Sequence, residues 1–175
     1  MTGLLLIAVL LIWLAACVWL TQKIGNLLQN RSWRAVVKFA LFAVLLPLPL
    51  IDEIIAKPQF EALCKEKAVI VVEPSKAQGR TVYLLDLPTE IAKGVMVPVH
   101  AQRWHYVDAK TKEAVVSFST LQAEGGRLIH ALGISETNAP LTFNGYCAPP
   151  NRQALFTQLE IRKVERSQIM QGERK

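Results

Sequence analysis

Three histidines and three cysteines are the side chains of this 175-residue chain best suited to bind a metal or attack a substrate. His100 and His105 are five residues apart, and an odd spacing on a strand directs two side chains to opposite faces. His130 stands apart from both in sequence. Because zinc needs several converging ligands, the pattern predicts ordinary surface or part-buried histidines and no metal site.

Two of the cysteines, Cys64 and Cys147, follow the apolar N-terminal third of the chain, whereas Cys17 lies within it. If the later part of the chain faces an oxidising compartment, Cys64 and Cys147 are candidates for a disulfide. The alternative is two unpaired thiols. A nucleophilic cysteine is not indicated, because no local signature accompanies either residue.

The glycine pair Gly125-Gly126 does not form a phosphate-binding motif, because the lysine and hydroxyl residues of such a loop are missing. No serine lies in a nucleophile elbow either. The sequence therefore predicts a protein that is not an enzyme, with no catalytic residue and no cofactor.

The segment around Trp104 alternates in a way that is typical of a strand. Trp104 and Tyr106 would lie on one face, and Arg103 and His105 on the other. Aromatic residues at a spacing of two usually line a core, which is the favoured interpretation; a recognition strand is the alternative. Arg103 and His105 are thus candidate contacts for a partner.

Hydrophobic residues make up 51% of the chain, and their excess lies in the first third. Residues 1–56 hold four of the 20 basic residues and two of the 14 acidic ones. The remaining charges, within a net charge of +6, are scattered without a basic run among aromatic residues. This distribution indicates a solvated surface and no nucleic-acid partner.

Two apolar segments predict a transmembrane helical hairpin within residues 1–56. The first, 3–20, has 18 uncharged residues, and the second, 35–51, is interrupted only by Lys38. Lys38 has a stem long enough to carry its charge to the interface. The bilayer is therefore the first predicted partner.

Two prolines close the second apolar segment. Pro47 and Pro49 should kink or break the helix, because each lacks a backbone donor. Asp52 and Glu53 then predict the exit into water, or a contact with a partner. Pro58 would begin a short amphipathic helix.

The basic residues between the two apolar segments predict the orientation of the hairpin. By the positive-inside rule this connection faces the cytoplasm, which places both termini, including Lys175, in the periplasm of a bacterium. An alternative comes from the sequence LAAC, in which Cys17 would be lipidated after cleavage. The four basic residues are Lys23, Arg31, Arg34 and Lys38.

Residues 57–175 predict a small, mostly antiparallel β domain, so that the fold class is a membrane-anchored α+β protein. The clearest element is a hairpin over 102–120. Gly133 would suit the end of a helical turn, although 127–135 could also be a strand. Further strands are predicted at 67–74, 80–88, 95–100 and 154–165, with a hairpin turn at Asn144-Gly145.

The residues DEII at 52–55, followed by Phe60 and by Leu63-Cys64, resemble a signature of uncharacterised small bacterial inner-membrane proteins. These proteins have two apolar segments and a strand-rich tail. Glycine commonly follows DEII in that group, whereas this chain has Ala56. The resemblance covers about a dozen positions, implies a bacterial inner membrane and implies no activity.

These observations favour a membrane-anchored accessory or interaction protein, whose β domain docks outside the cytoplasm on a protein partner or a second copy. A sensor of a small molecule or envelope ligand is the alternative. An envelope enzyme is a third hypothesis, and it would need a cleft with converging titratable groups.

Overall fold

The computed structural model describes residues 2–27, 31–133 and 139–166. It begins with two packed apolar helices, α1 (Thr2–Leu27) and α2 (Arg31–Leu45), which we call the apolar hairpin. The indole N–H of Trp13 donates to the carbonyl of Leu45 at 3.3 Å. The structure has two helical stretches, 4–26 and 33–67, that are long and apolar enough to cross a membrane. Lys175 lies outside the described residues.

The chain leaves α2 through the predicted break at the prolines. α2 ends at Leu45, and a 3-10 helix (Leu48–Leu50) follows Pro47. A proline has no N–H and its ring clashes with the preceding turn, so an α-helix cannot continue unchanged. The prediction of a break is confirmed, although α2 ends six residues before the predicted end at residue 51.

A longer helix than predicted follows the break. α3 runs from Ile51 to Lys67 and contains Pro58 in its interior. The prediction that a helix begins near Pro58 is therefore wrong, and the predicted domain boundary between residues 56 and 57 falls inside α3. Ala56 is fully buried within this helix, where the resembling sequences commonly have glycine.

Seven strands among the described residues form one sheet. They are β1 (Val71–Val72), β2 (Thr81–Asp86), β3 (Glu90–Ala92), β4 (Val99–Asp108), β5 (Ala114–Ala123), β6 (Tyr146–Cys147) and β7 (Arg162–Val164). Their order is β1-β5-β4-β2-β7, while β3 pairs with β4 and β6 pairs with β5. Every pairing is antiparallel except that of β2 with β7. The fold is thus two apolar helices followed by a mostly antiparallel sheet, as predicted.

The central hairpin of β4 and β5 confirms the predicted one. Some of the other predicted strands and turns are wrong. Residues 67–74 contribute only a two-residue strand, and of the segment predicted as a strand at 95–100 only Val99 and His100 are in a strand, as the start of β4. Asn144-Gly145 does not turn a hairpin; the Asn144 side chain instead accepts the N–H of Tyr146 at 3.2 Å.

Three short helices complete the described residues. α4 (Pro74–Ala77) follows β1, and α5 (Arg127–Leu132) ends at Gly133, which has the left-handed φ of 59° expected of a helix end. α6 (Arg152–Gln158) replaces the first half of the strand predicted at 154–165. The local alternation of residues there is misleading, because Leu155, Phe156 and Leu159 also match a helical spacing.

The sheet is covered on both faces. On one face, Ala56 and Phe60 of α3 pack against Val99, Ala101 and Leu121. Side chains alternate along a strand, so the neighbouring positions point to the other face. There, α6 contributes to a second core whose buried members are Ala77, Val82, Val115, Val116, Phe156, Leu159 and Ile161.

Candidate functional site

The most unusual chemistry in the described residues is a pair of buried carboxylates at the start of α3. Asp52 is 9% exposed and Glu53 is not exposed at all. On the other side of the same turn, Ile51, Ile54 and Ile55 are exposed. The prediction that the two acids mark an exit into water is therefore wrong: the acids face the sheet domain and the isoleucines face outward.

Glu53 accepts hydrogen bonds from three backbone N–H groups. Its Oε1 accepts from Gly126 at 2.9 Å, and its Oε2 accepts from Leu141 at 2.8 Å and Thr142 at 3.1 Å. A buried carboxylate is costly unless its oxygens are paired. Among the ion pairs of the described residues none includes Glu53, so backbone amides satisfy it in place of a cation. One side chain thereby ties together two segments 73 and 88 residues further along the chain.

Asp52 extends the same arrangement. Its Oδ2 accepts the N–H of Arg127 at 2.6 Å, and its Oδ1 accepts the N–H of Glu53 at 3.0 Å. Both oxygens that were predicted to meet solvent or a partner are thus directed to the chain's own backbone. We call Asp52, Glu53 and the segments 126–127 and 141–142 the carboxylate junction.

Gly125 and Gly126 acquire a structural explanation from this junction. A Cβ on Gly126 would lie 2.6 Å from an oxygen of Asp52, and one on Gly125 would lie 2.7 Å from Ile129. Such distances are too short for a side chain, so glycine at 126 lets the backbone approach the carboxylates, and glycine at 125 makes room for Ile129. Gly126 therefore receives the chain's own acids, where a phosphate loop would receive a ligand.

The far end of α3 is attached to the sheet by a covalent bond. Cys64 and Cys147 form a disulfide with their Cα atoms 6.3 Å apart, which links α3 to β6. Eleven residues of helix separate Cys64 from Glu53, or about 16 Å along the axis. The carboxylate junction and the disulfide therefore hold α3 at two separated points. Cys17 is free and buried in the apolar hairpin.

The histidines have a relationship that the sequence spacing does not suggest. His100 and His130 flank one carboxylate: Nε2 of His100 lies 2.5 Å from Oε1 of Glu124, and Nε2 of His130 lies 3.3 Å from Oε2. His105 points to the other face of β4. No group of three or more His, Cys, Asp or Glu side chains suited to a metal is found within 2–27, 31–133 and 139–166.

Trp104 and Arg103 lie on opposite faces of β4, as the alternation predicts, but Trp104 and Tyr106 are only half-buried, and of these two only Tyr106 packs against a core cluster. Trp104 donates from its indole N–H to Thr120 at 2.9 Å. Arg103, on the other face, is 55% exposed and pairs with Glu90 at 2.8 Å. Arg103 thus lies at a surface that a partner could reach, whereas Asp52 and Glu53 do not.

Lys38 is accommodated inside the apolar hairpin by a glycine. Its Nζ donates to the Asn26 side chain at 3.1 Å. A Cβ on Gly25 would overlap the Lys38 side chain, so the stem occupies the space that this glycine leaves. The cation therefore reaches towards the loop end of α1, in the direction predicted for snorkelling.

No protein-family model, curated protein or solved structure matches this chain. The candidate site is therefore assigned from the geometry of this chain alone.

Proposed function

We propose that this protein is a membrane-anchored interaction protein of a bacterial inner membrane, whose β domain docks on a protein partner in the periplasm. The single observation that carries the proposal is the carboxylate junction. A flexible tether would suffice to keep a soluble domain near a membrane, whereas buried carboxylates and a disulfide give α3 a defined position on the sheet. A defined orientation is useful when a surface must meet a partner that is itself oriented by the membrane.

Exposed apolar side chains support the membrane anchor. Leu4, Ile12 and Phe39 are at least two-thirds exposed on the apolar hairpin. Such a surface is costly in water and stable in lipid. α2 alone, about 22 Å long, is shorter than the roughly 30 Å hydrocarbon layer. Ile51, Ile54 and Ile55 continue its exposed apolar surface into α3.

The orientation in the proposal rests on the basic residues near the connection between α1 and α2. A C-terminal alkaline phosphatase fusion should be active, and a cytoplasmic reporter fused at the same position should be inactive. The reverse pair of results would place the sheet domain in the cytoplasm and would contradict the proposal.

Partner docking is tested by site-specific photo-crosslinking in the native host. A photoreactive residue at Arg103 or His105 should capture one defined protein, because this face of β4 carries the candidate contacts. The control is Gln158, an exposed residue on the helix that covers the other face. The proposal fails if both faces give the same products, or if the detergent-extracted protein is monomeric and yields no adduct at either position.

A further inference from the structure

An open cavity of about 540 Å³ lies between α6 and the face of the central hairpin that α6 covers. Its floor is a cluster of three rings from three different elements. Tyr106 of β4 stacks on Phe118 of β5 with ring centres 6.1 Å apart, and Tyr106 and Phe156 of α6 meet in a T-shaped contact with ring centres 4.7 Å apart. The volume is in the range of small-molecule sites in proteins.

Two cations lie on these rings. The guanidinium of Arg152 is 5.2 Å from the centre of the Phe118 ring. The ammonium of Lys163 is 4.1 Å from the Phe156 ring and 5.6 Å from the Tyr106 ring. Ring faces attract cations, so both charged groups are held at the cavity while their N–H donors remain available.

No acidic side chain in the part of the chain that the structure describes lines this cavity to neutralise these charges. Among the described residues, none that lines it is Asp or Glu, and neither Arg152 nor Lys163 forms an ion pair with a described residue. Burial raises the pKa of the Tyr106 phenol, and the nearby charge of Arg152 opposes that rise. The Asn151 and Gln153 side chains add further polar groups to the wall.

We propose that this cavity binds a small polar organic anion, whose phosphate or carboxylate group pairs with Arg152 and Lys163. Arginine and lysine together are suited to such groups, because the guanidinium offers a planar fork and the ammonium a mobile point charge. An inorganic ion alone would leave most of the cavity unfilled. A hydroxylated carrier such as a sugar would fill it and would hydrogen-bond to the amide side chains.

The position of the cavity favours a dissolved ligand over a lipid headgroup. Phe118 is five residues before Ala123, or about 17 Å along β5 from the end that precedes the carboxylate junction. α6 covers the face of the sheet opposite to α3. A bound anion here would lie away from the helices that carry the exposed apolar surface. A site for a dissolved ligand is what the alternative function, the sensing of a small molecule, would require.

Isothermal titration of the full chain in nanodiscs of zwitterionic lipid tests this proposal. The probes are glucose 6-phosphate and glucuronate, with glucose and inorganic phosphate as partial ligands. We expect saturable binding of at least one of the two organic anions, weaker binding of inorganic phosphate and no binding of glucose. Arg152→Gln and Lys163→Gln should each weaken binding about tenfold or more, because each removes a charged hydrogen-bonding partner. Arg152→Lys should weaken it less than Arg152→Gln.

The matched control is Arg162→Gln, which removes the same charge from the neighbouring residue of β7, whose side chain points to the other face. It should change the affinity by less than about twofold. Melting curves would show that all variants fold. The proposal is overturned if neither organic anion binds at about 10 mM, if glucose binds equally well, or if Arg162→Gln weakens binding as much as Lys163→Gln. A loss of binding in discs of anionic lipid would contradict a dissolved ligand and assign the site to headgroups.

Discussion

The backbone N–H of Gly126 donates to Oε1 of Glu53 at 2.9 Å, although 73 residues separate the two in sequence. This bond joins the helix that follows the apolar hairpin to the end of the central β-hairpin. It explains why an apolar, proline-containing segment ends on two adjacent acids: the acids receive the backbone of the sheet domain. The adjacent isoleucines continue the apolar surface on the outside of the same helix.

Replacing Glu53 should therefore destabilise the whole domain. Glu53→Gln puts an NH2 group where an oxygen accepts, leaving at least one buried N–H without a partner. We expect the free energy of unfolding to fall by about 1–3 kcal/mol. Glu61→Gln, at an exposed position of the same helix, should change it by less than about 0.5 kcal/mol. Equal effects of the two substitutions in denaturation experiments would argue against a buried junction.

Gly126 should be intolerant of a side chain because of Asp52. Gly126→Ala places a methyl group against the Asp52 carboxylate and should cost about 1–3 kcal/mol, the usual range for overpacking. The shorter side chain of Asp52→Ser would relieve the contact, so Gly126→Ala should cost less on that background. A double-mutant cycle measures this coupling. Strict additivity of the two substitutions would contradict the close approach.

The two cysteines of the disulfide should stabilise the protein through one shared bond, so that their contributions do not add. Cys64→Ser and Cys147→Ser are expected to destabilise by similar amounts, with the double variant no worse than either, because each removes the same bond. For a closed loop of this length the chain-entropy model gives about 4.5 kcal/mol. Non-reducing mass spectrometry of protein from its native compartment should find the 64–147 linkage. Two alkylatable thiols in freshly isolated protein would contradict both the bridge and the periplasmic location.

The lowered pKa of Asp108 leads us to expect that the turn of the central hairpin is sensitive to acid. Burial alone would raise its pKa, but the N–H groups of Thr111 and Lys110 and the charge of Arg80 outweigh burial, and the pKa lies below its ordinary value. The resulting stabilisation is complete above the unfolded pKa of about 3.9 and is lost as the pH falls through the lower folded pKa.

Asp108→Ala should therefore destabilise the protein by about 1–3 kcal/mol at pH 7, since it leaves the part-buried N–H groups of Lys110 and Thr111 without their acceptor. The difference from the unsubstituted protein should narrow as the pH drops below about 4. Glu113→Gln, at an exposed residue beyond the same turn, is the control and should show no such pH dependence. A difference that stays constant down to pH 2 would show that Asp108 acts by packing alone.

Local signals in the sequence were sufficient to predict the apolar helices, the break at Pro47 and the hairpin of β4 and β5. The length of an apolar segment, the presence of proline and the strict alternation of residues depend on a few neighbouring positions. They can therefore be recognised in the sequence before the three-dimensional fold is known. The interpretation of α6 failed because its short amphipathic pattern is compatible with both a strand and a helix. Packing of Phe156 against Tyr106, which only the folded sheet provides, decides between them.

The carboxylate junction could not be predicted in the same way. Two acids after an apolar segment usually mark a hydrated boundary, and the sequence carries no local sign that they are buried. Apart from the N–H of Glu53, which Asp52 accepts, their donors come from positions 73 to 89 residues away, and these donors are backbone groups that every residue except proline possesses. The glycine pair at 125–126 was the available signal, and it could be interpreted only once its neighbour, Asp52, was known.

We expect the carboxylate junction to give the sheet domain a fixed orientation on the apolar hairpin. The most direct test is a pulsed electron-spin distance measurement in nanodiscs, between spin-labelled unnatural amino acids at Val18 and Lys110, both exposed. We predict one narrow distance distribution for the otherwise unaltered chain, and a clearly broader one when Asp52→Asn and Glu53→Gln are combined. A broad distribution in the unaltered chain, or a narrow one that the double substitution leaves unchanged, would contradict the claim.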